Sequence, residues 1–126
     1  MYTNFLTELK NAQMAKKPAL KIPFSKMDMA IAELLVRMHY VESVAEKGRM
    51  PKRIIEVKLK YTDGKGVIQG IKFLSRPSLR QYTGFRDMKL VKSGYGMAVF
   101  STPEGIMTGR EARKKKIGGQ ALFEIW

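Results

Sequence analysis

The residues best suited to chemistry lie near the C-terminal end of the chain, in the segment STPEGIMTGREARKKKIGG (residues 101–119). Five basic side chains fall within seven residues here: Arg110, Arg113, Lys114, Lys115 and Lys116. They are flanked by hydroxyls and glycines, which can bring backbone donors close to phosphates and sugars: Ser101, Thr102, Thr108, Gly118 and Gly119. The pattern favours a surface that binds an anionic ligand. A solvated cationic surface with no ligand is the alternative for such a cluster taken alone.

The charge of the whole chain supports the first interpretation. The 126 residues carry 24 Lys and Arg against 11 Asp and Glu, a formal net charge of +13. Such an excess causes self-repulsion in the folded state, so an anionic partner that neutralises it is expected. Nucleic acid is the leading candidate and an anionic membrane surface the weaker one. Net charge is +5 up to residue 63 and +8 from residue 64 onward, so the second half is the more cationic.

Catalysis and metal binding find little support. His39 is the only histidine and follows an apolar helical stripe, which favours a helix-terminal or packing role over that of a base. The carboxylates are scattered, the phosphate-loop spacing is missing, and there is no cysteine. We therefore expect a non-enzymatic, intracellular and cytoplasmic protein without metal or cofactor. RNA is favoured over DNA because no helix-turn-helix, zinc-finger or basic-zipper spacing occurs.

Hydrophobic periodicity predicts the elements of the first half. A helix is expected around Phe5, Leu6 and Leu9, followed by a strand over residues 19–24. Ser25 and Asp28 have the spacing of a helix start, and an apolar stripe runs on to Met38. Alternating residues 54–61 and 67–74, separated by TDGKG, predict a hairpin with a loop longer than the minimum.

The second half reads as short strands divided by turns. The breaker SRPS (75–78) suggests a boundary between an N-terminal α/β subdomain, residues 1–74, and a C-terminal β-rich RNA-binding subdomain, residues 75–126. MAVFST and ALFEIW are predicted strands, and PEG is a predicted turn. Thr108 and Glu111 form a capping-box signature for a short helix, stopped by Gly118 and Gly119. The free N–H groups at the start of this helix would suit an anion. The predicted fold class is α+β, with N-terminal helices on a short mixed sheet and a mostly β C-terminal part with one short helix.

Five motifs, taken together, resemble one known family. STPEGIMTGREARKKKIGGQALFEIW is similar to the C-terminal signature of the bacterial ribosomal protein S8 family of the small ribosomal subunit. Further matches, in the same order as in that family, are LKNAQMAKK, IPFSKMDMAIAELL, SRPSLRQY and SGYGMAVFST. The resemblance therefore covers essentially the whole chain.

The resemblance implies a two-part α+β protein that is a structural constituent of the small subunit. Such a protein binds the central domain of small-subunit ribosomal RNA, helps to assemble it, and meets neighbouring ribosomal proteins, with S5 as the expected one. The alternative that it implies is a translational repressor bound to its own operon mRNA. The RNA-binding residues it implies are Ser101, Thr102, Pro103, Tyr82, Gly119 and Gln120 in the C-terminal half and Asn11, Ser25 and Lys26 in the N-terminal half.

This chain departs from the family pattern at several of these positions. Pro103 replaces a serine, which removes a hydroxyl and a backbone donor. Gln120 replaces a glutamate, so it keeps an acceptor and loses a charge. Ser78 replaces a glycine and Gly109 an aspartate. We expect Pro103 to be the residue most able to change how the turn binds RNA.

Overall fold

The chain folds into two compact units, Met1–Ile68 and Gln69–Trp126, in a computed structural model that describes residues 2–49, 52–74, 81–84 and 96–126. Helices dominate the start of the first unit, and the second is mostly strand with one short helix, so the predicted α+β class is confirmed. The first unit ends at Ile68, earlier than the boundary suggested by SRPS, because residues 71–73 pair with the last strand of the chain. The SRPS segment itself lies outside the described residues.

The first unit contains two helices and a small sheet. Its elements are α1 (Tyr2–Met14), β1 (Ala19–Pro23), α2 (Lys26–Arg37), β2 (Val41–Lys47), β3 (Ile54–Leu59), β4 (Tyr61–Thr62) and β5 (Lys65–Gly66). The sheet order is β1-β3-β2, and both pairings are antiparallel, where the sequence had suggested a mixed sheet. The strands β1 and β2, which α2 connects, therefore run parallel to each other without touching, and β3 fills the space between them.

The apolar stripes of both helices form the core of this unit. Phe5, Leu6 and Leu9 of α1 are buried, as are Ile31 and Leu35 of α2. On the sheet, Ile55, Val57 and Leu59 are buried at alternate positions of β3. Ser25 is the N-cap of α2, and its hydroxyl accepts a hydrogen bond from the Asp28 N–H at 3.3 Å. The predicted helical stripes and the start of α2 are confirmed.

Both helices of the first unit end in the same way. After α2, the His39 N–H donates to Val36 O and the Tyr40 N–H to Leu35 O, and His39 has φ +66°. This pair of bonds is the Schellman motif, in which glycine is the usual left-handed residue. Lys16, with φ +58°, holds the same position after α1. His39 is thus a helix-terminal residue, as predicted.

The predicted hairpin over residues 54–74 is wrong in its pairing. Asp63 (φ +53°) and Gly64 (φ +76°) form a two-residue loop between the short strands β4 and β5, the geometry that Asp-Gly favours. The expected returning strand is split. Its later part, Ile71–Phe73, is β6 of the second unit and pairs with the C-terminal strand.

The second unit is a five-stranded antiparallel sheet with one helix. Its elements are β6 (Ile71–Phe73), β7 (Gln81–Thr83), β8 (Met97–Thr102), β9 (Gly105–Thr108), α3 (Gly109–Lys115) and β10 (Gly119–Ile125). The order is β6-β10-β8-β9, and β7 pairs with the other end of β10 on the same side as β6. The last strand is therefore central, and the strand predictions for MAVFST and ALFEIW are confirmed. The predictions for residues 85–95 lie outside the described part of the chain.

One face of this sheet is covered by α3. Ala112 of the helix packs with Phe100, Met107 and Ala121, and Leu74 and Trp126 close the cluster. A bulge between Ala121 and Phe123 shifts the register of β10 against β8. The shift allows three successive residues of β10 to be buried, since one extra residue breaks the two-residue alternation.

Candidate RNA-binding site

Three of the predicted site residues occupy one row across three neighbouring strands. Gln120 of β10 is directly opposite Ser101 of β8 on one side and Tyr82 of β7 on the other. Their separation in sequence gave no sign of this, because the row depends on β10 lying between β7 and β8. The Tyr82 side chain lies outside the described part of the structure, so its place here is that of its backbone.

The Ser101–Gln120 pair lies on the sheet face opposite α3. Phe100 and Ala121 are the next pair in register, both are buried, and both pack with Ala112. Because successive side chains of a strand point to opposite faces, Ser101 and Gln120 point away from the helix. Both are half-buried. In this pair, two hydrogen-bonding side chains occupy directly opposite positions of neighbouring strands.

The turn after Ser101 is held by the hydroxyl of Thr102. This hydroxyl donates to Gly105 O at 2.8 Å and accepts from the Glu104 N–H at 3.2 Å. No hydrogen bond of the Ser101 hydroxyl occurs within the described residues. The Thr102 oxygen therefore stabilises the turn, whereas the Ser101 hydroxyl has no such part in it within the described residues.

Pro103 is compatible with this turn. It occupies the second of the four positions 102–105, where the fixed φ of proline is favoured, and Gly105 follows at the fourth with φ +117°. The side-chain bonds of the turn use the Glu104 nitrogen and the Gly105 carbonyl, not the nitrogen of Pro103. The departure from the family pattern thus costs this turn no internal hydrogen bond, and Pro103 is exposed at its tip.

Gly119 is a packing residue under the turn. A Cβ at this position would lie 2.6 Å from Ser101 O and 2.9 Å from Thr102 Cγ2. Only a glycine lets β10 approach β8 this closely. Gly119 is buried, so any part it has in binding is through the position of Ser101 and Thr102 rather than through exposed atoms of its own.

The start of α3 is closed by its own side chains. Thr108 is buried, its hydroxyl accepts from the Glu111 N–H at 3.2 Å, and the Glu111 carboxylate accepts from the Thr108 N–H at 3.1 Å. The predicted capping box is confirmed. The expectation of an anion site at this helix start is not supported, because a carboxylate of the protein already lies there.

The end of α3 differs from the prediction. Lys116, with φ +58°, takes the left-handed position, and its N–H donates to Arg113 O at 3.1 Å. The helix therefore stops at a lysine, and the expectation that Gly118 and Gly119 stop it is wrong. Gly119 is required for the close packing of β10 instead.

The basic residues of α3 form an exposed surface separate from the polar pair. Arg110, Arg113 and Lys114 have the spacing of one helix face. Lys115 lies 3.7 Å from the Glu104 carboxylate, and this ion pair joins the helix to the turn. Because Ala112 packs on the opposite sheet face from Ser101 and Gln120, the structure does not merge the two sets of residues into one surface.

The predicted residues of the N-terminal half lie on two elements of the first unit. Asn11 is exposed on α1, and Lys26 is exposed at the first position of α2. Ser25 is half-buried and already engaged as the N-cap. Of the three, Asn11 and Lys26 present side chains to solvent without such a structural task.

The sequence indicated Asp28 only as part of a helix start, but the structure shows that its side chain is buried. It is 8% exposed, and its Oδ1 has no hydrogen-bond partner among the described residues. Burial raises the pKa of this carboxyl; the charge of Glu8 also raises it, and the positive amino terminus of the chain lowers it. Such a group penalises folding when it is ionised.

Within the described residues, no group of three or more His, Cys, Asp or Glu side chains is arranged to hold a metal ion. In the same ranges, no helix is long and apolar enough to cross a membrane.

The fold and the site define a small, strongly basic α+β protein with a polar strand pair and a cationic helix on opposite faces of one sheet. The family model described as Ribosomal protein S8 matches residues 1–126. The chain therefore belongs to the ribosomal protein S8 family.

Individual relatives agree with the family match. The small ribosomal subunit protein uS8 of Acinetobacter baumannii (strain ATCC 17978) is 44% identical over 119 residues, which cover 94% of this chain and 91% of that protein. The uS8 protein of Thiobacillus denitrificans is 43% identical over 119 residues with the same coverage. That of Vesicomyosocius okutanii is 38% identical over 123 residues, covering 98% of this chain and 94% of the relative.

Proposed function

We propose that the protein is a non-catalytic structural constituent of the small ribosomal subunit, which binds the central domain of small-subunit ribosomal RNA and helps it to assemble. The observation that carries this proposal is the family match over residues 1–126. The formal net charge of +13 supports a polyanionic partner. Within the ribosome, neighbouring small-subunit proteins are further partners, with S5 as the first to test.

The geometry suggests a division of labour between the two surfaces of the second unit. Phosphate contacts by lysine and arginine supply affinity that depends on salt and carries no sequence information. The exposed cluster on α3 suits that task. Ser101 and Gln120 offer a hydroxyl and an amide on one sheet face, and such groups hydrogen-bond base edges or ribose hydroxyls. Tyr82 holds the adjacent backbone position and is proposed as the third member of this recognition row.

Binding of the purified full chain to three RNAs at several salt concentrations tests the proposal. The RNAs are a transcript of the central domain, a scrambled transcript of equal length, and the leader of the protein's own operon mRNA. We expect the central-domain transcript to bind at least about 100-fold more tightly than the scrambled one at equal salt, a modest specificity ratio for a nucleic-acid-binding protein. Equal affinity for both transcripts would overturn the proposal.

The RNA recovered with the protein from a native lysate separates the ribosomal role from repression. Ribosomal RNA of the small subunit should dominate the sequenced RNA. Recovery of operon mRNA without ribosomal RNA would instead assign the same surface to translational repression.

A further inference from the structure

A second basic surface lies in the first unit, where the end of α1 meets the β4–β5 hairpin. We call this the α1 junction and define it by Gln13, Lys16, Lys17 and residues 60–68. The Gln13 side chain donates to Ile68 O at 2.7 Å and accepts from the Ile68 N–H at 3.0 Å. The Tyr61 hydroxyl donates to Lys17 O at 2.6 Å. A side-chain amide that holds both backbone groups of one residue fixes the hairpin segment to the helix.

Two further contacts tighten the same junction. The Lys16 ammonium donates to Gly64 O at the tip of the hairpin. A Cβ at Gly66 would lie 2.0 Å from Gln13 Cδ, so only glycine admits the Gln13 side chain here. The backbone of Lys16 is left-handed, with φ +58°. The junction is therefore specified by side chains from both elements rather than by chance proximity of two surface segments.

This junction brings four lysines together. Lys16 and Lys17 belong to the helix end, and Lys60 and Lys65 flank the hairpin that the helix end holds. Asp63, at the hairpin tip, is the carboxylate within the junction. None of the four ammonium groups forms an ion pair with a carboxylate within the ranges that the structure describes. Like charges held together in this way repel one another and lower stability unless a ligand neutralises them.

Lysines on the sheet of the same unit behave differently. Lys47 lies 2.9 Å and Lys21 3.9 Å from the Glu56 carboxylate, across neighbouring strands. The hydrogen bond from Lys47 and the charges of Lys47, Lys21 and Lys58 lower the pKa of Glu56, against a smaller opposing effect of burial. These lysines are partly neutralised within the protein. The junction lysines have no ion pair to a carboxylate among the described residues, whereas Lys21 and Lys47 on the sheet face do, so the two groups can be compared within one unit.

We propose that the α1 junction is a phosphate-binding surface of the protein, in which Lys16, Lys17, Lys60 and Lys65 contact the backbone of RNA. The inference rests on the proposed function for the choice of RNA as the polyanion. Ammonium groups on flexible stems are point charges that suit phosphates and do not read bases. The junction therefore adds affinity without sequence discrimination, which is left to the second unit.

Two matched double variants of the full chain test this inference. Lys17→Gln with Lys65→Gln removes two charges from the junction and leaves the Lys16 contact intact. Lys21→Gln with Lys47→Gln removes two charges from the sheet face of the same unit. Affinity for the central-domain and scrambled transcripts is measured over a salt series, and circular dichroism confirms that both variants are folded.

The association constant K falls with salt, so the plot of log K against log salt has a negative slope. The junction variant should reduce the magnitude of this slope by about 1.8, since each phosphate contact contributes about 0.9. It should weaken both transcripts by the same factor, and the sheet-face variant should leave the slope near that of the wild type. Equal slopes for the two double variants, or a junction variant with the wild-type slope, would overturn the inference. The wild-type ratio between the two transcripts tests the proposed function separately, because that ratio does not depend on the comparison of variants.

Discussion

A methyl group at Gly119 has no room between β8 and β10, because it would meet the Ser101 carbonyl oxygen at 2.6 Å. Gly119→Ala should therefore lower the free energy of unfolding by about 1–3 kcal/mol, the usual cost of overpacking a close contact. It should also weaken binding to the central-domain transcript more than to the scrambled one, since Ser101 is displaced. Urea denaturation and RNA titration measure the two effects. A variant with wild-type stability would show that the strands separate easily here.

Ser101 and Thr102 are adjacent hydroxyl residues with different hydrogen bonds. Thr102 bonds twice inside its turn, so Thr102→Val should cost about 1 kcal/mol of stability. Ser101→Ala should leave the melting temperature unchanged and reduce the preference for the central-domain transcript about tenfold, which corresponds to one lost hydrogen bond in a desolvated contact. If Thr102→Val reduced that preference at constant stability while Ser101→Ala did not, the two roles would be reversed.

At the level of elements, the sequence predicted those features that depend on residues close together in the chain. The stripe of α2, the Ser25 cap and the Thr108–Glu111 capping box all follow from residues within a few positions of one another. Pairings across long sequence distances were not predictable in this way. Ile71–Phe73 looks like the second strand of a local hairpin, but its partner is residues 123–125. The row of Tyr82, Gln120 and Ser101 could not be predicted from the sequence either, because it depends on pairings between distant segments.

Helix ends were the other point at which sequence rules failed. Glycine is the residue expected in the left-handed position of a Schellman motif, yet Lys16, His39 and Lys116 hold that position after α1, α2 and α3. The motif is set by backbone hydrogen bonds that a basic side chain does not prevent. A lysine also places positive charge near the negative end of the helix dipole, which offsets part of the backbone strain. The sequence suggested a helix-terminal place for His39, but it did not indicate that Lys16 or Lys116 would take the left-handed position.

His39→Gly tests this account of the helix ends. His39 is exposed, so the substitution removes left-handed strain of about 1–2 kcal/mol and adds back roughly 0.5–1 kcal/mol of chain entropy in the unfolded state. We expect a gain in stability of about 0.5 kcal/mol at pH 8 in chemical denaturation. Glu33→Gly, at an exposed position inside α2, is the control and should lose about 1 kcal/mol. A loss of stability in His39→Gly would contradict the account.

Asp28 gives the first unit an unusual pH dependence. Its pKa in the folded protein is raised, chiefly by burial, so the ionised carboxylate destabilises the fold at neutral pH and the penalty is relieved as pH falls through that pKa. Asp28→Asn should be more stable than the wild type at pH 7, by about 1 kcal/mol, with the gap closing in acid. Thermal unfolding of both proteins between pH 4 and pH 8 measures the gap.

The lowered pKa of Glu56 acts in the opposite direction, because its contribution to stability is lost as pH falls through the folded pKa. It is present in both proteins and cancels from their difference. A gap between Asp28→Asn and the wild type that stayed constant with pH would show that the Asp28 carboxyl is not penalised by ionisation.

At the level of the whole molecule, each unit is a continuous stretch of the chain, but their sheets are completed at different points of the sequence. The first unit contains all its strands by residue 66. The second has β10 at its centre, and β6, β7 and β8 all pair with that strand. A chain that stops at Gly118 should therefore keep the folded first unit and lose the second.

The truncated chain is expected to keep the helical circular dichroism of α1 and α2, while its affinities for central-domain and scrambled transcripts become similar. The matched control is the full-length wild-type chain, which keeps every strand. If the truncated chain retained the wild-type preference for the central-domain transcript, the polar row would not be the source of discrimination.

The position of β10 also has a consequence for synthesis. Translation proceeds from the N-terminal end, so β6, β7 and β8 leave the ribosome before the strand that all three require. A nascent chain can complete the α1 junction and its cationic surface while the Ser101–Gln120 pair does not yet exist. Under the proposed division of roles, the growing protein would bind RNA by charge alone during that interval and would discriminate among RNAs only after the central strand is added.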